Sequence, residues 1–83
     1  MTRDEFIWKI EHGDDIMFDV LNRHFVIITW PDEGIRIAEQ NTSDEGQLFQ
    51  TAEELVDHFS IGKHIISSVL DSLVITDYTL VKE

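Results

Sequence analysis

The spacing of hydrophobic positions changes repeatedly along the 83-residue chain, and each change predicts a different element. Thr2-x-x-Glu5 is a capping box, in which the Thr hydroxyl accepts from the Glu5 amide and the carboxylate reaches back to the Thr2 amide. Phe6, Ile7 and Ile10 then share one helical stripe, so a helix is expected from about residue 3 to 11, with Gly13 as a left-handed stop. From Asp15 to Leu21 the period falls to two, Ile16, Phe18 and Val20 alternating with more polar positions, and His24 to Trp30 is apolar almost throughout. Both segments read as strands, joined by the turn residues Leu21-Asn22-Arg23. Pro31-Asp32-Glu33-Gly34 makes a second turn, Pro fixing φ early and Gly supplying a positive-φ exit, and leads into a third strand from Ile35 to Glu39.

A polar loop, Asn41 to Gly46, precedes a short fourth strand from Gln47 to Gln50. Thr51-x-x-Glu54 is a second capping box, and Ala52, Leu55, Val56 and Phe59 follow at helical spacing until Ser60-Ile61-Gly62 breaks the pattern. The stripe Ile65, Ile66, Val69, Leu70, Leu73 predicts a third helix from about Lys63 to Ser72. Val74 to Leu80 is rich in β-branched residues and reads as a last strand.

These elements predict a single α+β domain over residues 1–83, two or three layers thick, in the order αβββ(β)αα(β). Its sheet is expected to be a three- or four-stranded antiparallel meander, accompanied by three helices. If both hairpin loops hold an even number of residues, directly opposed residues share a face. One face then carries Ile16, Phe18, Val20, Phe25 and Ile27, and the other Val26, Ile28, Trp30, Ile35 and Ile37. Two apolar faces must both be covered, by helices on each side or by a second subunit, so the expected state is a monomer or a homodimer through a sheet face. The middle strand should be the most buried element.

Composition narrows the function. With 17 Asp and Glu against 6 Lys and Arg the formal charge is −11, and the basic residues are spread singly, so no cluster suits a phosphate backbone and nucleic-acid binding is not expected. The absence of Cys excludes disulfide frameworks and thiolate metal sites and fits a cytoplasmic location. No segment is apolar for the roughly 18 residues that a span needs, and the acidic start Met1-Thr2-Arg3-Asp4-Glu5 does not suit a signal peptide. No membrane association is therefore expected.

Candidate chemistry is sparse. His58 and His64 are split by a predicted helix break, and His12-Gly13-Asp14-Asp15 offers one imidazole and two carboxylates in a turn, so no spacing fixes metal ligands on one face. Asn41-x-Ser43-x-Glu45-Gly46 starts like a calcium loop, but its twelfth position is Ala52 instead of a bidentate acid. None of the serines lies in a nucleophile motif, and the glycines are scattered at turns. No catalytic residue, metal or cofactor is predicted. Trp8, off the stripe of its helix, and Trp30, at a strand end, are expected to be partly buried.

The remaining signal is charge. From Ile37 to Gly62 there is no Lys or Arg, while Glu39, Asp44, Glu45, Glu53, Glu54 and Asp57 accumulate. These six are the predicted partner-binding residues, and the partner they suit is a basic protein. The order of the capped first helix, Asp15-Ile16-x-Phe18, Phe25-x-Ile27, Glu39, Glu54-Leu55, Phe59 and Ile61-Gly62-Lys63 resembles short acidic uncharacterised proteins of bacteria. That resemblance implies a compact αβββαα fold and carries no activity. The expected function is a non-catalytic acidic protein-binding module, of the inhibitor or immunity type. The alternatives are an acidic domain whose charge serves solubility alone and, more remotely, a small metal-dependent hydrolase using His12, Asp14 or His58.

Overall fold

Both capping boxes start helices in the computed structural model, which describes residues 1–30, 32–43 and 45–80. Thr2 caps α1 (Arg3–His12) and Thr51 caps α2 (Ala52–His58), each hydroxyl accepting from the amide three residues on, Glu5 at 3.1 Å and Glu54 at 3.0 Å. The strands are β1 (Gly13–Val20), β2 (Arg23–Trp30), β3 (Gly34–Glu39), β4 (Gln47–Phe49), a small hairpin of β5 (Ser60–Ile61) and β6 (His64–Ile65), and β7 (Val74–Leu80). Among the described residues β1 to β4 form an antiparallel meander, and β7 returns to pair with β1, so the sheet runs β4-β3-β2-β1-β7. The class is α+β, with a five-stranded sheet and two α-helices. No helix among the described residues is long and apolar enough to cross a membrane.

Turn geometry decides which face each strand turns inward. Leu21 and Asn22, at φ 52° and 61°, form a two-residue turn, and the ladder pairs Ile16 with Ile27 and Phe18 with Phe25. The second connection spans residues 31–33, because Trp30 pairs with Gly34, and an odd loop inverts the parity of the following strand. Ile35 and Ile37 therefore lie opposite Thr29 and Ile27, on the same face as Phe25, which corrects the sequence-based assignment of these two residues to the other face. Gly34 sits at φ 113°, the positive-φ exit anticipated, whereas the expected role of Pro31 lies outside the described residues.

Every large buried side chain of the sheet is on this one face. Phe18 and Phe25 stack with ring centroids 5.5 Å apart, Phe6 of α1 meets Phe18 edge-on at 5.8 Å, and Phe59 at the end of α2 meets Phe25 at 5.9 Å. Both helices thus cover the same face, giving two layers, and among the described residues no helix covers the opposite face. Val26 and Ile28 remain half-buried there, so β2 is central without being uniformly buried.

The expected third helix is absent among the described residues. Residues 60–65 instead form the β5–β6 hairpin around Gly62 at φ 61°, followed by two 3₁₀ turns, Ile66–Ser68 and Leu70–Ser72. The segment has no side-chain cap, it is dense in β-branched residues, and the Ser68 hydroxyl donates to the Ile65 carbonyl at 2.6 Å, a local bond that competes with an α-helical ladder. Ile66, Leu70 and Leu73 still reach the core, because the 3₁₀ turns keep them on one side.

Gly13 is also not a left-handed stop. Its φ is −95° and it opens β1, but a Cβ there would fall 2.6 Å from both the Lys9 carbonyl and the Tyr78 ring. Close approach of the α1 backbone and of Tyr78 on β7, not a turn, requires the glycine. In β7 a bulge separates the pairs Met17–Asp77 and Phe18–Ile75, so that Ile75 and Tyr78, three residues apart, both pack on the core.

Two stability outcomes follow from these turns. Ile37→Ala should cost about 2–5 kcal/mol in denaturant unfolding, as expected for an aliphatic residue emptied from a closed core. A loss under about 1 kcal/mol, ordinary for a surface site, would place Ile37 on the other face. Leu21→Gly should raise stability by up to about 1 kcal/mol, since it relieves a non-glycine residue held at positive φ.

Candidate functional site

The acids anticipated as a partner-binding set are distributed over the molecule. Glu39, at the end of β3, accepts two bonds from Arg23, at 2.8 Å from Nε and 2.5 Å from Nη2, and the same guanidinium lies 5.5 Å from the Phe25 ring centroid. This pair roofs the rim of the core. Asp57 accepts from Arg3 Nε at 3.0 Å and Nη2 at 2.7 Å, tying α2 to α1. Glu53 and Glu54 project from the first turn of α2, and Glu45 offers its carbonyl to Arg36 Nη1 at 2.9 Å. Asp44 lies outside the described residues.

Three of the six, Glu53, Glu54 and Asp57, thus occupy the helical layer, and α1 extends that acidic surface. Asp4 lies 3.9 Å from Arg3, and the charges of Asp57, Glu53 and Asp4 all act on the Arg3 guanidinium. Asp4 also lines an open hollow of about 330 Å³ together with Glu5, Trp8 and Lys9. Trp8 is half exposed, and His12 stacks on its ring at 4.4 Å while donating from Nδ1 to the Trp8 carbonyl at 2.9 Å. Lys9 turns its ammonium over the Tyr78 ring, 4.8 Å from the centroid. An aromatic floor with carboxylates beside it suits a cationic side chain. The sequence showed Trp8 off its helical stripe, and the i, i+4 spacing of Asp4 and Trp8 was the available signal for their meeting.

A second constellation joins side chains that sequence reasoning did not connect. Asp19 and His24 face each other across the first hairpin, and His24 Nδ1 lies 2.5 Å from Asp19 Oδ1. A carboxylate can only accept, so the imidazole carries its proton on that nitrogen. Ser72 lines the same hollow as this pair. Both side chains are well exposed to water, which leaves the pair without the dry, donor-lined surroundings that acyl-transfer chemistry uses. The signal in the sequence was an Asp and a His placed symmetrically about a two-residue turn.

The imidazoles do not converge: His12 is on α1, His24 on β2, His58 ends α2 and His64 is in β6. Among the described residues no group of three His, Asp or Glu is placed to hold a metal ion. Trp8 and Trp30, expected to be partly buried, are instead both exposed, at 50% and 41%. No family model, no curated protein and no solved structure matches this chain.

The Arg3–Asp57 contact has a pH signature. Hydrogen bonds from Arg3 hold the Asp57 carboxyl below its ordinary value, against the smaller opposing effect of desolvation. A depressed carboxyl stabilises the fold above its unfolded pKa, and that contribution is lost as pH falls through the folded value. Asp57→Asn should therefore unfold at lower temperature than wild type at neutral pH, and the gap should close as the solution is acidified through the Asp57 titration. A gap that persists in acid would show that the helices are not joined by this charge pair.

Proposed function

We propose that the protein is a non-catalytic binding module, an acidic inhibitor or immunity-type protein that covers a basic surface of a partner protein. What supports this reading is the helical layer, where Asp57 and Glu53 of α2 and Asp4 of α1 gather about Arg3, and Asp4 and Glu5 line the hollow beside the half-exposed Trp8. The Arg3 cation in this layer is already engaged by Asp57, and Lys9 is drawn towards Tyr78. A partner's Lys or Arg side chain would lie on the indole and meet the Asp4 and Glu5 carboxylates at its edge. The charge of −11 would draw such a partner in from a distance, and the aromatic contact would hold it.

These two contributions separate kinetically. Replacing Asp44, Glu45, Glu53 and Glu54 with their amides should slow association with a captured basic partner by about tenfold or more at low salt, with little change in dissociation. Trp8→Ala should instead speed dissociation, at a cost of about 2 kcal/mol. Thr51 is retained in all variants, because removing that cap costs about 1 kcal/mol of fold stability. Association rates measured against ionic strength decide the matter: an amide variant as fast as wild type at low salt would leave the acids a solubilising surface only.

A further inference from the structure

The face of the sheet turned away from the helices carries a charge pattern that is complementary to itself. On β2 the residues pointing outward are His24, Val26, Ile28 and Trp30. Beside Ile28 in one cross-strand row stand Arg36 of β3 and Asp15 of β1, one strand away on either side. In the next row Val26 lies between Ala38 and Met17, which are likewise half-buried, and Asp77 follows on β7. Arg36 is held in place, its guanidinium 5.9 Å from the Trp30 ring centroid and bonded to the Glu45 carbonyl. An apolar strip is thus flanked by a cation on one side and by acids on the other.

We infer that this face binds a second copy of the same chain, in a two-fold dimer whose axis runs along β2. Rotation about that axis places the partner's β3 over β1 and keeps the rows aligned. Arg36 then meets the partner's Asp15, Asp15 meets the partner's Arg36, and Met17 packs on the partner's Ala38. The β2 residues Val26, Ile28 and Trp30 face their own counterparts. Sheets packed face to face lie about 10 Å apart with strands within about 30° of alignment, which leaves these long side chains within reach of each other. The other two-fold arrangement, with its axis across the strands through Met17, sets Asp15 against the partner's Asp19 and Asp77 against the partner's Asp77. Like charges opposed at close range disfavour it, so the pattern selects one docking geometry. This surface is opposite the helical layer, so it neither uses nor blocks the Trp8 hollow.

Sedimentation equilibrium with charge reversals tests the arrangement. Wild type should dimerise, and a variant with Glu53→Gln and Glu54→Gln in the helical layer should dimerise as well or better, because it carries less self-repulsion. Asp15→Arg and Arg36→Asp should each weaken self-association by about tenfold or more, as each reversal acts twice across a two-fold interface. Mixed in equal amounts, the two variants should form a heterodimer, since Arg36 and the new Arg of one chain now meet Asp15 and the new Asp of the other. Thermal unfolding at neutral pH verifies that both variants remain folded, as expected for half-buried and exposed sites on an open face. A wild type that stays monomeric at every concentration overturns the inference and leaves the face to a different protein. Variants that fail to associate on mixing overturn the axis along β2.

Discussion

One stacked pair of rings organises this protein. Phe18 and Phe25 lie across from each other next to the first hairpin, and both helices reach them, α1 through Phe6 and α2 through Phe59. A domain of this size closes only one core, since the surface it can bury is limited by its length. With both helices committed to the Phe18–Phe25 face, neither is left for the other side. The open sheet face is therefore a consequence of the core and does not arise from any weakness in the strands that form it.

That asymmetry divides the charges into two settings. On the helical side Arg3 and Arg23 are engaged by Asp57 and Glu39, one joining the helices and the other sealing the core rim. Of the other acids on this side, Asp4 and Glu5 line a hollow beside the half-exposed indole of Trp8, and Glu53 and Glu54 lie in the first turn of α2. On the sheet side a single row holds Arg36 and Asp15 in register about Ile28, and its symmetry matters more than its net charge. If the two proposals hold, long-range charge acts on the two surfaces in opposite ways as salt rises. Attraction between the acidic layer and a basic partner is screened as ionic strength rises, whereas screening relieves the long-range repulsion between two chains of charge −11.

Where the expected and observed elements diverge, a specific geometric feature is responsible. The alternation of Val74 to Leu80 is weak because the bulge opposite Met17 and Phe18 turns both Ile75 and Tyr78 inward, a spacing of three that no strand template contains. The stripe from Ile65 to Leu73 is helical in spacing, but successive 3₁₀ turns can present Ile66, Leu70 and Leu73 equally well. Spacing alone cannot distinguish them, and the side-chain bond from Ser68 to the Ile65 carbonyl favours the tighter turn.

By itself the sequence determined the features that depend on neighbours along the chain. These are the two capping boxes, the stripes Phe6–Ile7–Ile10 and Ala52–Leu55–Val56, the strand segments of the five-stranded sheet, and the turn at Leu21-Asn22. Such features need only backbone propensity and side chains within one or two turns of each other. Tertiary structure alone decided which face Ile35 and Ile37 occupy, because the parity of β3 is set by a loop of three residues and not by the strand. It likewise decided that β7 pairs with β1, that Asp57 and Glu39 are each bonded to an arginine, and that Asp4 meets Trp8 beside the Arg3 cluster. Each of those outcomes depends on a distance through space between residues far apart in sequence, which hydrophobic periodicity does not encode.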